Sequence, residues 1–301
     1  MSLESLQNVN ETGKPFLCLE INPPRGTDLN TIFNRLEGSL KGVNFLNITD
    51  SALAKMRMSA LIFASLLKQR FGVEPLVNFA CRDKNVIAIQ SELLGAWAIN
   101  IRSIIALTGD AVSIGDMPEA KGVFEVNSIG LLNIISKING GKDMAENALS
   151  GQPAYVPGVV VNPNAKNINA EIKRLVRKKD SGAKYALSQP VFDEVNSEIF
   201  FREAASVGIN IFMGLLAFKS GRSALALSKI PGIKLPQKLL ELAEGSPEED
   251  LSNFSLDHCM KLAELNRKYV QGFHVVSGAT PKLALELTDK LAVYIENLGV
   301  Y

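Results

Sequence analysis

No sign of charge dominates this chain: its 301 residues carry 32 Lys+Arg against 31 Asp+Glu, a net charge of +1. So even a balance creates no broad positive field to gather phosphate backbones or an anionic membrane surface, and nucleic acid is not an expected partner. Cysteine is scarce. The three thiols, Cys18, Cys81 and Cys259, are odd in number and widely separated, which fits neither a disulfide framework nor a Cys-rich metal or Fe–S site. A reducing cytoplasm is therefore the expected location. With only two histidines, His258 and His274, a His-rich metal centre is not expected either. The most apolar stretches, such as 209–218, are half the length of about 20 residues that a membrane span needs. The opening MSLESLQNVNETGKP has neither an apolar signal core nor an Arg-rich amphipathic pattern. Also missing are a GxGxxG after a strand, GxxxxGK[ST], GxSxG and HExxH, which removes the Rossmann, P-loop, nucleophile-elbow and zincin readings.

What the chain does have is apolar material, 47% of its residues, arranged as short β-rich runs between longer amphipathic segments. Eight strands are predicted: FLCLEIN (16–22), VNFLNIT (43–49), EPLVNFAC (74–81), SIIALTGD (103–110), VPGVVVN (156–162), AKYALSQPVF (183–192), NIFMGLLAF (210–218) and GFHVVSG (272–278). Their nearly continuous apolar character is that of parallel strands buried on both faces. Apolar residues at three- and four-residue spacing predict helices over Leu29–Leu40, Lys55–Gln69, Val86–Ala98, Ser128–Ile138, Asn169–Asp180 and Ser197–Ser206. Eight strands alternating with helices predict an α/β fold, a single (β/α)8 TIM barrel over 1–301. Two connections exceed the usual length of about five residues. One is Ala111–Asn127; the other is Pro231–Ser255, with an extra helix at LPQKLLELAEG and an acidic SPEED turn.

Enzymes of this fold work at the C-terminal mouth of the strands, so polar residues closing apolar strands are the candidates. They are Glu20 and Asn22, Thr49 and Asp50, Cys81 to Asp83, Thr108 and Asp110, Asn162, Gln189, Lys219, and His274 with Ser277. A carboxylate at Glu20, pointing into a barrel mouth, has its pKa raised by desolvation, as a general acid at neutral pH requires; a buried structural ion pair is the alternative. Asp110 follows the Gly109 kink and either turns over the mouth or caps the following loop. Gln189 offers a donor and an acceptor at once, which suits the mixed edge of a pterin, or makes an ordinary strand-end hydrogen bond. Lys219 and His274 are placed with the substrate, although a lone strand histidine is more often structural. Arg82 and Asp83 read as a pair bracing a loop. In KRLVRKK, Lys173, Arg174, Arg177 and Lys178 either converge on one anionic group or form a solvated face.

In this order, LEINPPR, LNITD, CRDKN, LTGD, KGVFEVNSIGLL, NAEIKRLVRKKDSGA and LSQPVFD resemble the methylenetetrahydrofolate reductase family over essentially the whole chain. The likeness leans toward the reductases of anaerobic bacteria and the reductase half of bifunctional homocysteine methyltransferase–reductases. The resemblance implies a barrel with a flavin, FAD or FMN, at its mouth, and hydride transfer to 5,10-methylenetetrahydrofolate giving 5-methyltetrahydrofolate in one-carbon metabolism and methionine biosynthesis. It implies Glu20 as general acid, Asp110 between flavin and pterin, and Gln189 on the folate. Around the flavin it implies Thr49, Asn78, Gly109, Phe124, Asn127, Asn162, Glu171, Arg174, Arg177 and Lys178, with the basic helix holding ribityl and phosphate groups. Departures from the family pattern are VNPNA for the fifth-strand YPE-x-HP, TDS for the second-strand TYG, and Asn78 for the third-strand histidine.

The electron donor is left as NADH, NADPH or a protein subunit, and a homo-oligomer is an expectation from the family. Competing readings are the folate-binding subunit of a heteromeric reductase, a flavin-free pterin-dependent methyltransferase barrel, and a non-catalytic barrel subunit.

Overall fold

The computed structural model describes residues 6, 13–278 and 280–298. Eight parallel strands close into one barrel in the order β1 to β8: Phe16–Ile21, Phe45–Ile48, Glu74–Ala80, Ser103–Leu107, Val156–Val161, Tyr185–Pro190, Asn210–Leu215 and Gly272–Val275. Helices return the chain between them: α1 (Asn30–Leu36), α2 (Ala60–Phe71), α3 (Val86–Ala98), α4 (Ser128–Asn139), α5 (Ile168–Asp180) and α6 (Glu194–Ala205). After β7 come α7 (Gly221–Ser228), α8 (Gln237–Gly245) and α9 (Glu248–Asn266), and α10 (Pro281–Asn297) follows β8. All eight predicted strands are present. The predicted extra helix is α8, and α7 is a further one. The residues read as an acidic turn instead open α9, where Glu248, Glu249 and Asp250 favourably meet the positive end of its dipole.

Strand alternation divides the apolar residues between two cores. Leu17, Leu19, Leu46, Ile48, Val77, Ile104, Val159, Ile211 and Val275 face outward and are covered by the helices. The alternate residues Phe16, Cys18, Phe45, Leu76, Ile105, Val156, Tyr185, Leu187 and Phe212 fill the base of the barrel together with Leu6. Phe212 lies at the centre of this base, with ring centroids 5.9 Å from Phe16, 6.1 Å from Phe45 and 6.1 Å from Tyr185. Small residues make room for the rings: a Cβ on Gly158 would fall 2.3 Å from Tyr185, and one on Gly272 would fall 2.7 Å from Phe212. The base is closed, so any ligand must occupy the upper end.

A local rule is broken in β6. Pro190 has no N–H for the ladder, and the register with β7 shifts between Leu187 and Pro190. Across the shift the Gly214 N–H donates to the Ser188 hydroxyl at 2.8 Å. A Cβ at Gly214 would sit 2.4 Å from the Ser188 carbonyl oxygen, so only glycine lets the two strands close there. This irregularity carries Gln189 at the mouth.

Phe212→Ala removes the ring that three other aromatics pack against and leaves a void in a base that has no means of collapse. The loss is expected to be about 3–5 kcal/mol, measured as a lower urea midpoint with an unchanged m-value; a loss under about 1 kcal/mol would show that the ring stack is not what closes the base.

Candidate active site

Above the aromatic base the inward positions turn polar. Asn47 on β2 donates from Nδ2 to Asn78 Oδ1 on β3 at 3.0 Å, and Thr49 Oγ1 donates to Asn22 Oδ1 at 2.7 Å. Asn22 Nδ2 donates in turn to Ser277 Oγ at 3.0 Å, and Ser277 Oγ donates to Glu20 Oε1 at 3.3 Å. Four side chains from the ends of β1, β2 and β8 thus form a chain of donors that ends on a carboxylate. Two forces act on that carboxylate. Burial disfavours its charge, while hydrogen bonds from the Ser277 and Gly278 backbone and from the Ser277 and Asn22 side chains favour it. Burial prevails, and Glu20 is pushed up to about 7. A carboxyl in this state is part proton donor and part base at neutral pH.

His274, two residues nearer the base on β8, pairs in register with Cys18 of β1 and Gly214 of β7. It is 5% exposed, and among the described residues neither ring nitrogen has a hydrogen-bond partner. Burial pulls its pKa down to about 4, so the ring is neutral at pH 7.

The opposite side of the mouth holds a cavity of about 440 Å³, within the range of roughly 300–1,000 Å³ usual for small-molecule sites. Leu107, Thr108, Val160, Asn162 and Gln189 line it from β4, β5 and β6, and Asn127, Ser128 and Ile129 contribute the start of α4. Glu171, Arg174, Arg177 and Lys178 form the α5 wall. Asn127 caps α4, accepting from the Ile129 and Gly130 N–H groups. Glu171 is 5% exposed and is held from both sides: its Oε1 accepts the Asn162 N–H at 3.0 Å, and its Oε2 meets Arg174 at 3.2 Å. Lys178 donates to the Val160 carbonyl at 2.6 Å, and burial lowers its pKa. Three cations against one carboxylate leave this wall with a net charge of +2. The basic segment of the sequence is a cavity wall in the fold, and of its five cations Lys173 and Lys179 are not among the lining residues.

Asp110 takes a different place. Its Oδ2 accepts the Leu53 N–H at 2.7 Å, so it fixes the turn after β2 and not its own loop. That turn is unusual: Ser51, Leu53 and Ala54 all have positive φ, at 43°, 55° and 52°, a conformation that costs non-glycine residues about 1–3 kcal/mol each. Two aspartates hold it, because Asp116 also accepts the Met56 N–H at 3.1 Å while pairing with Arg25 at 2.8 Å. The turn explains why α2 starts at Ala60 and not at the predicted Lys55. Gly109, at φ +95°, lets the chain pass within contact of Arg82, where a Cβ would be 2.8 Å from the arginine Cβ. Arg82 itself is 3% exposed, paired bidentately with Asp83 at 2.9 and 2.7 Å, and donates to the Ser51 carbonyl at 3.3 Å. It braces the loop, as the pairing of these two residues suggested.

The mouth therefore brings together Glu20, Thr49 and Asn78 on one side and Asn127, Asn162, Gln189, Glu171, Arg174, Arg177 and Lys178 on the other. Lys219 is exposed and 4.0 Å from Glu248, and it does not line the cavity. Phe124 is 40% exposed on the long loop, its ring folded over Gly122. The structure adds two residues that no motif marked: Gly232, a cavity residue from the loop between α7 and α8, and Asn164, which clamps that loop by donating from Nδ2 to the Gly232 and Pro190 carbonyls, both at 2.9 Å. The proline-glycine pair at 231–232 was the visible signal, a turn in an overlong connection. Among the described residues, no group of three or more His, Cys, Asp or Glu is placed to hold a metal, and no helix is long and apolar enough to cross a membrane.

Comparison with known proteins bears on this mouth. The family model described as methylenetetrahydrofolate reductase matches residues 5–292. The 5,10-methylenetetrahydrofolate reductase of Escherichia coli (strain K12) is 26% identical over 293 residues, covering 93% of this chain and 92% of that protein. The enzyme of the same name from Salmonella typhimurium is 27% identical over 290 residues, with the same shares covered. Among solved structures, an uncharacterized Clostridium thermocellum protein described as binding two copies of 5-methyl-5,6,7,8-tetrahydrofolic acid aligns with a TM-score of 0.71 at 16% identity, over 98% of this chain and 99% of that one, a likeness of fold. With a family match running from the first strand to the last helix and relatives aligned over almost their full length, the chain belongs to the methylenetetrahydrofolate reductase family, a family of oxidoreductases.

Proposed function

We propose that this chain reduces 5,10-methylenetetrahydrofolate to 5-methyltetrahydrofolate with a bound flavin, and that Glu20 is the acid of the reaction. The observation that carries the reading is a carboxyl at the barrel mouth whose pKa burial lifts to about 7, at the end of a donor chain from Thr49 through Asn22 and Ser277.

The donor set of the neighbouring cavity fits a flavin nucleotide. A phosphate needs the cations of Arg174, Arg177 and Lys178, a polyhydroxyl chain needs the amides of Asn127 and Asn162, and a flat ring needs apolar edges such as Leu107 and Val160. When bound, the flavin supplies the hydride chemistry that no side chain can perform. Gln189 shares that cavity and is the amide available to a pterin edge; Asp110, held in place by the Leu53 N–H, is assigned to the flavin and pterin with it.

For the folate, the chain's own part is proton delivery. Opening the five-membered ring that bridges N5 and N10 leaves negative charge on a departing nitrogen. Glu20 donates its proton there, so a reactive iminium forms at the one-carbon unit. The carboxylate left behind is stabilised by the hydrogen bonds already directed at it from Ser277, Gly278 and Asn22. The neutral His274 below adds no charge to compete with this exchange. One mouth serves donor and folate in turn, so kinetics should be of the ping-pong type, with NADH, NADPH or a protein subunit as the donor.

Glu20→Gln keeps the size and hydrogen bonding of the side chain but has no acidic proton. In rapid-reaction experiments it should leave reduction of the flavin by the donor intact and slow folate reduction by about 10²–10⁴-fold; folate reduction within a few-fold of wild type would remove Glu20 from the mechanism.

The raised pKa fixes the sign of the pH profile. The donor form predominates below about 7, so the folate half-reaction should be level on the acid side and fall about tenfold per pH unit above that value. A rate that stays level to pH 9 contradicts Glu20 as the acid.

Arg177→Gln removes from the cavity wall a cation that, among the described residues, takes part in no ion pair. Flavin affinity, read by fluorescence titration of the apoprotein, should weaken about tenfold, the size of a charge-assisted hydrogen bond at a partly exposed site. Unchanged affinity would place the phosphate elsewhere.

A further inference from the structure

The barrel wall is incomplete beside Glu20. On the β2 side the ladder of β1 runs up to the pair Ile21–Ile48, but on the β8 side it ends at Leu19–Val275, one residue below Glu20. Above that pair β1 and β8 part. The opening between them is spanned through the Glu20 carboxyl, which accepts from the Ser277 hydroxyl at 3.3 Å and from the Ser277 and Gly278 backbone N–H groups.

Behind this opening, on the outside of the barrel, lies a second cavity of about 60 Å³. Glu20, Asn22 and Ser277 line its inner end, and none of these three lines the larger cavity on the α5 side. Its outer walls come from Ile32 and Arg35 of α1 and from Pro281, Ala284 and Leu285 of α10. Ile32, Pro281 and Leu285 are half-buried and Arg35 is exposed, so the cavity joins the surface between α1 and α10 to the buried acid. It is far smaller than the roughly 300 Å³ at which small-molecule sites begin. It is large enough for about two to four waters, and a carboxyl, an amide and a hydroxyl at its inner end are the kind of partners that buried water requires.

The proposed chemistry needs such a path. Each folate reduction adds one hydride to the methylene carbon, breaks the bond from that carbon to one nitrogen and moves the Glu20 proton onto that nitrogen. Glu20 is left one proton short, and it must be recharged from solvent while flavin and folate cover the mouth. We infer that the cavity between α1 and α10 is a proton port, in which a short file of water returns a proton from bulk solvent to Glu20 from outside the barrel, whatever occupies the mouth. This rests on the reading of Glu20 as the acid and deepens it. Ile32, Ala284 and Leu285 shape the path and touch no reactant.

The test is exchange of the Glu20 proton, followed by rapid-mixing infrared spectroscopy on transfer to heavy water on the acid side of neutrality. The carboxyl band is identified by its loss in Glu20→Gln, and the flavin-loaded protein is compared with and without 5-methyltetrahydrofolate, whose binding is confirmed by the flavin spectrum. Wild type should exchange within the mixing time in both cases. Ala284→Leu, which fills the cavity from α10, should exchange as fast as wild type when the mouth is open. With the folate bound it should be slowed at least about tenfold, because exchange must then wait on local opening of the fold. If Ala284→Leu fails to fold, Ile32→Phe fills the same cavity from α1, where the side chain is only half-buried. Exchange in wild type that stalls when folate binds would make the mouth the route and overturn the port. A folded plug variant that still exchanges at the wild-type rate with folate bound would overturn it too. Absence of the protonated Glu20 band from wild type would defeat the reading of Glu20 as the acid, and the port with it.

Discussion

In a closed parallel barrel every second side chain of every strand must share one narrow axis, and this constraint governs the rest of the molecule. The lower end of the axis is satisfied with aromatic rings and with glycines that make room for them, Tyr185 against Gly158 and Phe212 against Gly272. Having closed the base, the same strands continue upward with Glu20, Asn47, Asn78 and His274 at inward positions. The polar end of the axis is thus held together by hydrogen bonds that run between strands. The Thr49–Asn22–Ser277–Glu20 chain is the clearest of them.

That arrangement separates two electrostatic regimes within one mouth. On the β1–β8 side a carboxyl is desolvated, and hydrogen bonds only partly offset the cost, so its proton is exchangeable at neutral pH. On the α5 side cations exceed carboxylates, and the one buried carboxylate, Glu171, is tied up by Arg174 and the Asn162 N–H. An anionic, planar cofactor belongs with the second, and acid chemistry with the first. The turn at Ser51–Ala54 follows Thr49, the first donor of that hydrogen-bond chain. Its positive φ values are maintained by Asp110 and Asp116, so those aspartates do structural work that the sequence alone does not reveal.

Much of this was legible in the sequence because strands buried on both faces are hard to disguise: runs such as SIIAL and NIFMGL have no helical periodicity and end in polar residues at the mouth. Glu20 stood out as a carboxylate inside an apolar run, and Gln189 through its place before Pro190. The register shift that carries Gln189 depends on Ser188 and Gly214 meeting across strands 26 residues apart, which no local pattern records. Spacing alone left Lys178 and Arg177 open between an anion-binding cluster and a solvated face, because helical spacing cannot tell which side of α5 borders a cavity; only the family resemblance assigned them to the cofactor. Gly232 was hidden for the same reason: a loop glycine acquires its role only when Asn164 fixes it beside Gln189. Lys219 shows the reverse, a strand-end lysine whose reach is toward Glu248 and away from the cavity.

Coupling of a flavin to folate reduction at this mouth is read out by an anaerobic absorbance titration of the purified protein. The flavin spectrum is expected to bleach on adding a reduced nicotinamide or a chemical reductant and to recover, one equivalent for one, on adding 5,10-methylenetetrahydrofolate. A protein that binds neither FAD nor FMN on reconstitution, or a reduced flavin that the folate fails to reoxidise, would contradict it.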